Sequence, residues 1–285
     1  MKFLASTQEK FKKRKEMLTK LNYFKDPNFV FEPEAHTYIY YDPETKKPVQ
    51  IFESVSGFLS QFKKPFDSDR IAGYVAKSRK TSKEVVLAEW KATAKEGTDT
   101  GTYVHEWIED WYNGKNPDMP IVNEVDEFFS DPGSSEPFNL EKRALDRIHK
   151  FLKLHEDRLY KLEAKHQELR IFSRKWGLAG TLDVLFFLDP FFYVGDWKTN
   201  KKWTDDDHKD GRRQKMLYPF EDLWDNSLNG YSLQISMYRL MLEEAGFETE
   251  GGFLVWLGPA EPKVVKCLDL RDRLREFLDK NNFVS

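Results

Sequence analysis

Two carboxylates and an ammonium group carry the chemical potential of this chain. Asp183, Asp196 and Lys198 fall in the run Gly177-Leu-Ala-Gly180-Thr-Leu-Asp183-Val-Leu-Phe-Phe-Leu-Asp189-Pro190-Phe-Phe-Tyr-Val-Gly195-Asp196-Trp-Lys198-Thr. Val184 to Leu188 and Phe191 to Val194 are rich in β-branched and aromatic residues, and Asp189-Pro190 is a turn signal between them. Strand side chains alternate faces, so Asp196 and Lys198 point the same way, and a hairpin places Asp183 opposite them. Converging carboxylates repel unless a cation lies between them. Hard oxygen ligands suit Mg²⁺ or Mn²⁺. A lysine beside such an ion orients or activates water and offsets negative charge developing on a phosphate.

An Asp-x-Lys pair is common on a solvated strand. Here the flanking strands are almost wholly apolar, as in a buried sheet. Three charges entering such a sheet need partners or a function.

The chain has 285 residues, enough for one large domain or two modest ones. Eight Trp and 40% hydrophobic content supply a core, while a net charge of −3 excludes a generally basic nucleic-acid binder. A polyanion must then be held by a local patch or through metal ions. Cys267 is the one cysteine, which rules out an internal disulfide or a four-cysteine metal site and suits a reducing cytosol. No run approaches the roughly 18 apolar residues of a membrane helix, the N-terminus lacks a sustained apolar signal core, and no phosphate-binding Gly-x-x-x-x-Gly-Lys-Ser/Thr loop for ATP is present.

The positioning elements follow from pattern. A charged amphipathic helix is expected over 6–22, and a hairpin from Val30 to Phe52 turning at Asp42-Pro43-Glu44-Thr45, with His36 a structural residue. Ser54 to Phe62 and Ser68 to Lys77 read as helices. Lys77, Arg79, Lys80 and Lys83 follow as a basic cluster, solvated or in contact with phosphate. One helix is expected from Glu84 to Lys95, ended by Gly97, and another from Gly101 to Tyr112. Asn113 to Pro137 reads as a loop, Leu140 to Lys165 as a long helix, and Glu168 to Ser173 as the strand that opens the sheet. Thr199 to Asn229 is a polar connection, Tyr231 to Gly246 a periodic helix, Gly252 to Leu257 a last strand and Arg271 to Lys280 a closing helix.

His105 and Glu109 share one helical face at i, i+4, as do Gln234 and Tyr238. Taken singly, His105 reads as a packed histidine, and Gln234 with Tyr238 as the edge of an amphipathic helix whose apolar stripe is Leu233, Met237, Leu240 and Met241.

Read together, the pieces resemble the PD-(D/E)XK nuclease superfamily, and within it the RecB-like exonucleases. Gly101-Thr102-x-x-His105 with Glu109 is similar to that family's histidine helix, Gly180-Thr-x-Asp183 to its first acidic motif, Gly195-Asp196-Trp-Lys198 to its Asp-x-Lys motif, and Gln234-x-x-x-Tyr238 to its trailing Gln-Tyr helix. The ordered set covers residues 98–257. The segment Phe31-Glu-Pro-Glu-Ala-His36-x-Tyr38 with Glu53-Ser-Val55 is a looser match to phage-encoded members.

The resemblance implies an α/β fold, a restriction-endonuclease-like core with a central mixed sheet flanked by helices and the active site at one edge, plus helical N-terminal additions. It implies one nuclease domain over 1–285, divided into an extension (1–97), the core (98–262) and a C-terminal helix (263–285). Asp183 and Asp196 would bind Mg²⁺ or Mn²⁺, two ions being expected, aided by His105 and the main-chain carbonyl of Trp197. Lys198 would orient the water, Gln234 and Tyr238 would position the lysine or the DNA backbone, and Glu109 and Glu168 would support a ligand. Many relatives hold an iron–sulfur cluster through four cysteines, which this chain lacks. The partner would be DNA, as single strands or duplex ends, met in the cytoplasm during replication, recombination or repair, with partner proteins of those processes. Arg79, Lys80, Lys201, Lys202, Trp203, Arg212, Arg213 and Lys215 are the candidate DNA contacts. A structure-specific or restriction-like endonuclease is the alternative on the same chemistry, and a non-catalytic nucleic-acid-binding protein the alternative of another class.

Overall fold

A computed structural model describes residue 19 and residues 21–122, 138–188, 191–204 and 214–281. The expected helix over 6–22, the Asp189-Pro190 turn, most of the 113–137 loop, and Arg212 and Arg213 lie outside the described residues, apart from a short 3-10 turn at Leu21–Lys25.

The fold is mixed α/β. One eight-stranded mixed sheet runs in the order β1 (Phe29–Glu32), β2 (Thr37–Tyr41), β3 (Pro48–Ser54), β5 (Leu178–Leu188), β6 (Phe191–Lys198), β7 (Gly251–Trp256), β8 (Lys263–Lys266), with β4 (Glu163–Ser173) paired to β5 off this path. The α-helices are α1 (Val55–Ser60), α2 (Ser68–Arg79), α3 (Lys83–Tyr112), α4 (Leu140–Asp157), α5 (Ser227–Glu244) and α6 (Arg271–Lys280). Side chains of α3 and α4 pack with Val184, Phe186 and Trp197 on one face of the sheet. On the other face, α1, α5 and α6 close over Leu185, Phe187 and Val194. Alternate residues of β5 and β6 thus feed opposite cores, which is why both strands read as continuous apolar runs.

Strand β5 organises the sheet. One edge pairs antiparallel with β4 along almost its whole length. Its other edge is shared: β3 pairs in parallel with Leu178 and Ala179, and β6 pairs antiparallel with Val184 to Leu188. Gly180 to Asp183 lie between, and among the described residues no strand pairs with them on that edge. Beyond Gly195, β6 continues beside β7 instead. The site therefore lies at a fork inside the sheet, whereas the edge of the sheet was the expected place.

Several boundaries differ from expectation. The expected single N-terminal hairpin is three strands, because the chain turns again between Glu32 and Thr37, where His36 takes a positive φ of 48° and packs on Phe31. Helix α3 runs unbroken for 30 residues through Gly97 and Gly101. Each glycine costs a helix about 1 kcal/mol. The burial of Val104, Trp107 and Ile108 against α4 and the sheet offsets that cost. Conversely, α4 ends at Asp157, and the helix-favouring Glu163-Ala-Lys run becomes strand, since its pairing with Phe186 and Phe187 outweighs local propensity. Strand β8 was not anticipated.

Candidate metal centre

The fork converts backbone pairing into side-chain chemistry. Where β5 and β6 separate, the Trp197 amide donates to Asp183 Oδ2 at 2.8 Å. Trp197 itself points away from the site and is buried among Phe151, Phe186 and Tyr112. It is thus a core residue rather than a stacking surface for a base. Asp196, one residue earlier, shares a face with Lys198, whose Nζ lies 2.7 Å from Asp196 Oδ2.

Asp196 is 1% exposed; its Oδ2 meets the Lys198 ammonium, and among the described residues its Oδ1 has no hydrogen-bond partner. A buried carboxylate is costly unless paired and hydrogen-bonded. Burial, then the charge of Asp183, push its pKa above the ordinary carboxylate range, and Lys198 pulls the other way. Burial also works against the charge on Lys198, but Asp196 and Asp183 outweigh it and hold that pKa above the usual lysine value. Beside these two carboxylates Lys198 is held as an ammonium, a charge stabiliser and hydrogen-bond donor.

Helix α3 delivers His105 from the opposite side. His105 Nε2 lies 2.9 Å from the Trp197 carbonyl, and Nδ1 lies 3.5 Å from Asp183 Oδ2. With Nε2 donating to the carbonyl, the Nδ1 lone pair faces a carboxylate oxygen. Two lone pairs so placed need a proton or a metal ion between them. One ligand atom from each of His105, Glu168 and Asp183 lies within 4.8 Å of the others. One imidazole and two carboxylates are the donor types that suit a hard divalent ion, and the unpartnered Oδ1 of Asp196 faces the same need.

Glu168 enters from β4 with a positive φ of 45°. Burial first, then Asp183, Glu109 and Asp196, push its pKa to about 8. Glu168, Glu109 and His105 open onto a cleft of about 790 Å³, also lined by Gly101, Arg170 and Thr181, with Phe24 and Phe31 on its N-terminal wall; Asp183, Asp196 and Lys198 do not line it.

Gln234 and Tyr238 are joined on α5. Gln234 Nε2 donates to the Tyr238 hydroxyl at 3.1 Å. The Tyr238 ring packs so closely on Gly180 that a Cβ there would stand 2.8 Å from Tyr238 Cε1. That contact explains why a glycine begins the Gly-Thr-x-Asp motif. The ring beneath the lysine is instead Tyr231, whose centroid lies 4.6 Å from Lys198 Nζ. Tyr231 was missed at the sequence level. Its signal was the i, i+3, i+7 spacing with Gln234 and Tyr238, which puts all three on one helical face.

The remaining candidates are scattered. Arg79 pairs with Glu89, and Lys80 caps α2 in a left-handed conformation. Lys201 lies 3.5 Å from Glu96, which also holds Arg143. Lys202 is exposed. Trp203 is half-buried, stacked on Tyr231 and tilted against Trp256. Lys215 covers the Trp224 ring and donates to the Asp222 carbonyl.

No protein-family model matches the chain, and no curated protein does. Among solved structures, a candidate exonuclease from Eubacterium rectale aligns at 14% identity over 64% of each chain, with a TM-score of 0.39. A Vibrio cholerae protein aligns at 13% identity over 88% of this chain and 63% of its own, with a TM-score of 0.25. The chain spans just under two thirds of the length of both. Likenesses of this size leave fold and activity to be read from the chain itself. No helix among the described residues is long and apolar enough to cross a membrane.

Proposed function

We propose that this chain is a metal-dependent DNA exonuclease of the PD-(D/E)XK, RecB-like kind, acting on single strands or duplex ends in replication, recombination or repair. The observation that carries the reading is Asp196: a buried carboxylate whose Oδ2 meets the Lys198 ammonium while Oδ1 has no partner among the described residues, across a strand fork from a second carboxylate and a histidine. A buried carboxylate oxygen is rarely left without a donor. A site built to receive a cation leaves one.

In this reading Asp183, Asp196 and His105 hold Mg²⁺ or Mn²⁺, and the Trp197 carbonyl has a second lone pair with which to join them. Bound there, such ions would supply Lewis acidity and a nucleophilic water for in-line phosphodiester displacement. Lys198 holds the attacking water in line and donates to a non-bridging oxygen as negative charge builds there. Water adds to phosphorus and gives up a proton, the P–O bond to the departing nucleotide breaks, and the departing oxygen ends with the proton that the water released. Tyr231 fixes the ammonium from beneath. Pairing of β3 with β5 ties the N-terminal strands into the same sheet, which supports reading 1–285 as one nuclease domain.

The test is digestion of 5′- and 3′-end-labelled single- and double-stranded DNA, plus a closed circle, with Mg²⁺ or Mn²⁺. Linear substrates should be shortened from an end, and Asp196→Ala or Lys198→Ala should lower the rate by three orders of magnitude or more. Cutting of the circle would replace the exonuclease by an endonuclease on the same centre. Absence of cleavage with either ion would favour a non-catalytic DNA-binding protein.

A further inference from the structure

Glu168 breaks the regularity of its own strand at the point where β4 passes the site. Gln167 pairs with Val184 and Leu169 with Leu182, so Glu168 stands opposite Asp183. Yet the Glu168–Asp183 pair is missing from the ladder, and Glu168 takes a φ of 45° inside an eleven-residue strand. A non-glycine residue held there costs about 1–3 kcal/mol and persists only when its surroundings demand it. Its carboxylate lies at the cleft with His105, and one ligand atom from each of Glu168, His105 and Asp183 lies within 4.8 Å of the others. Among the described residues no side chain forms an ion pair or hydrogen bond with Glu168. A separate observation points to a cation at the same place: Asp196, across the fork, is 1% exposed, and its Oδ1 has no hydrogen-bond partner among the described residues.

We infer that Glu168 is a direct ligand of the divalent cation, completing with His105 and Asp183 a three-sided donor set on the cleft side of the site. The inference rests on the proposed metal dependence and adds a ligand from β4, outside the hairpin that carries the other carboxylates. Glu109 and Glu106 lie on α3 along the same cleft. Glu106 is exposed and is absent from the donor set, so it serves as a control for cleft charge.

The test is Mn²⁺ binding to the whole chain without DNA, measured by calorimetry and by the electron paramagnetic resonance signal of free Mn²⁺. Glu168→Gln should weaken Mn²⁺ binding tenfold or more, while Glu106→Gln stays within twofold of wild type. Glu168→Gly accepts the positive φ without strain. It should fold at least as well and lose Mn²⁺ to the same degree, so loss of binding in both variants cannot come from unfolding. Wild-type affinity in either Glu168 variant overturns this inference and leaves the nuclease reading standing. A wild-type chain that takes up no Mn²⁺ at millimolar concentration overturns both.

Discussion

The Trp197 amide donates to Asp183 Oδ2 across the fork between β5 and β6, at 2.8 Å. One carboxylate thus has two duties. It closes a backbone hydrogen bond that the separating strands release, and it turns its charge toward His105 and Asp196.

These duties separate by substitution. Asp183→Asn keeps an oxygen that accepts from Trp197, so its unfolding free energy should stay within about 1 kcal/mol of wild type while Mn²⁺ affinity and DNA cleavage collapse. Asp183→Leu leaves the amide without a partner and should cost about 1–3 kcal/mol. Chemical denaturation of both variants checks this, and equal stability would mean that the Trp197 bond contributes little.

Tyr231 provides a face rather than a hydroxyl. Its ring lies under the Lys198 ammonium, and Trp203 stacks behind it. Tyr231→Phe should therefore retain cleavage within about threefold. Tyr231→Leu removes a cation–π contact worth ~0.5–2 kcal/mol. It should lower kcat about tenfold with little change in KM, because Lys198 is loosened at the reacting phosphate. A rise in KM alone would place Tyr231 in substrate binding instead.

Much of this centre was legible in the residues, and the remainder was hidden for identifiable reasons. Asp183, Asp196 and Lys198 stood out because an apolar hairpin leaves charged side chains no bland explanation. The parallel contact of Glu53 and Ser54 with Leu178 and Ala179 was not legible, since it joins segments more than 120 residues apart and leaves no local periodicity. Glu168 was visible as an acidic residue near the sheet, but its left-handed backbone has no glycine or asparagine to announce it. Gly97 misled for the opposite reason: a breaker in isolation, it is carried by the buried half of a long helix.

Glu168 also gives the metal-free protein a pH dependence. Its folded pKa of about 8 exceeds the ordinary glutamate value, so the folded state binds the proton more tightly than the unfolded chain. Stability is then unaffected below about pH 4, falls as pH rises through the interval up to about 8, and levels off above it. Glu168→Gln removes this penalty. Without metal it should be more stable than wild type at pH 9, by roughly 1–3 kcal/mol once solvent in the cleft is allowed for. At pH 4 the two should differ little. Thermal unfolding in a chelating buffer across this range reads the difference, and parallel curves for the two proteins would rule out the assigned titration.

Gly180 sets how closely α5 approaches the fork. A Cβ at this position would lie 2.8 Å from Tyr238 Cε1, 3.3 Å from its hydroxyl and 3.3 Å from Val55 Cγ2. Tyr238 is buried and tied to Gln234, and Val55 is buried at the start of α1, so neither neighbour is a free end that can swing away. Gly180→Ala should therefore cost about 1–3 kcal/mol, the usual cost of overpacking. It should also displace β5 three residues before Asp183, lowering cleavage more than stability alone explains. Tyr238→Leu opens a gap by itself, yet it removes the ring that the added methyl group would meet. The two changes should consequently couple, the double variant being more stable than the sum of the single losses by about 1 kcal/mol or more. A double-mutant cycle on unfolding free energies measures that coupling. Strict additivity would show that the helix can retreat from β5 and that the Gly180–Tyr238 contact does not hold the fork in place.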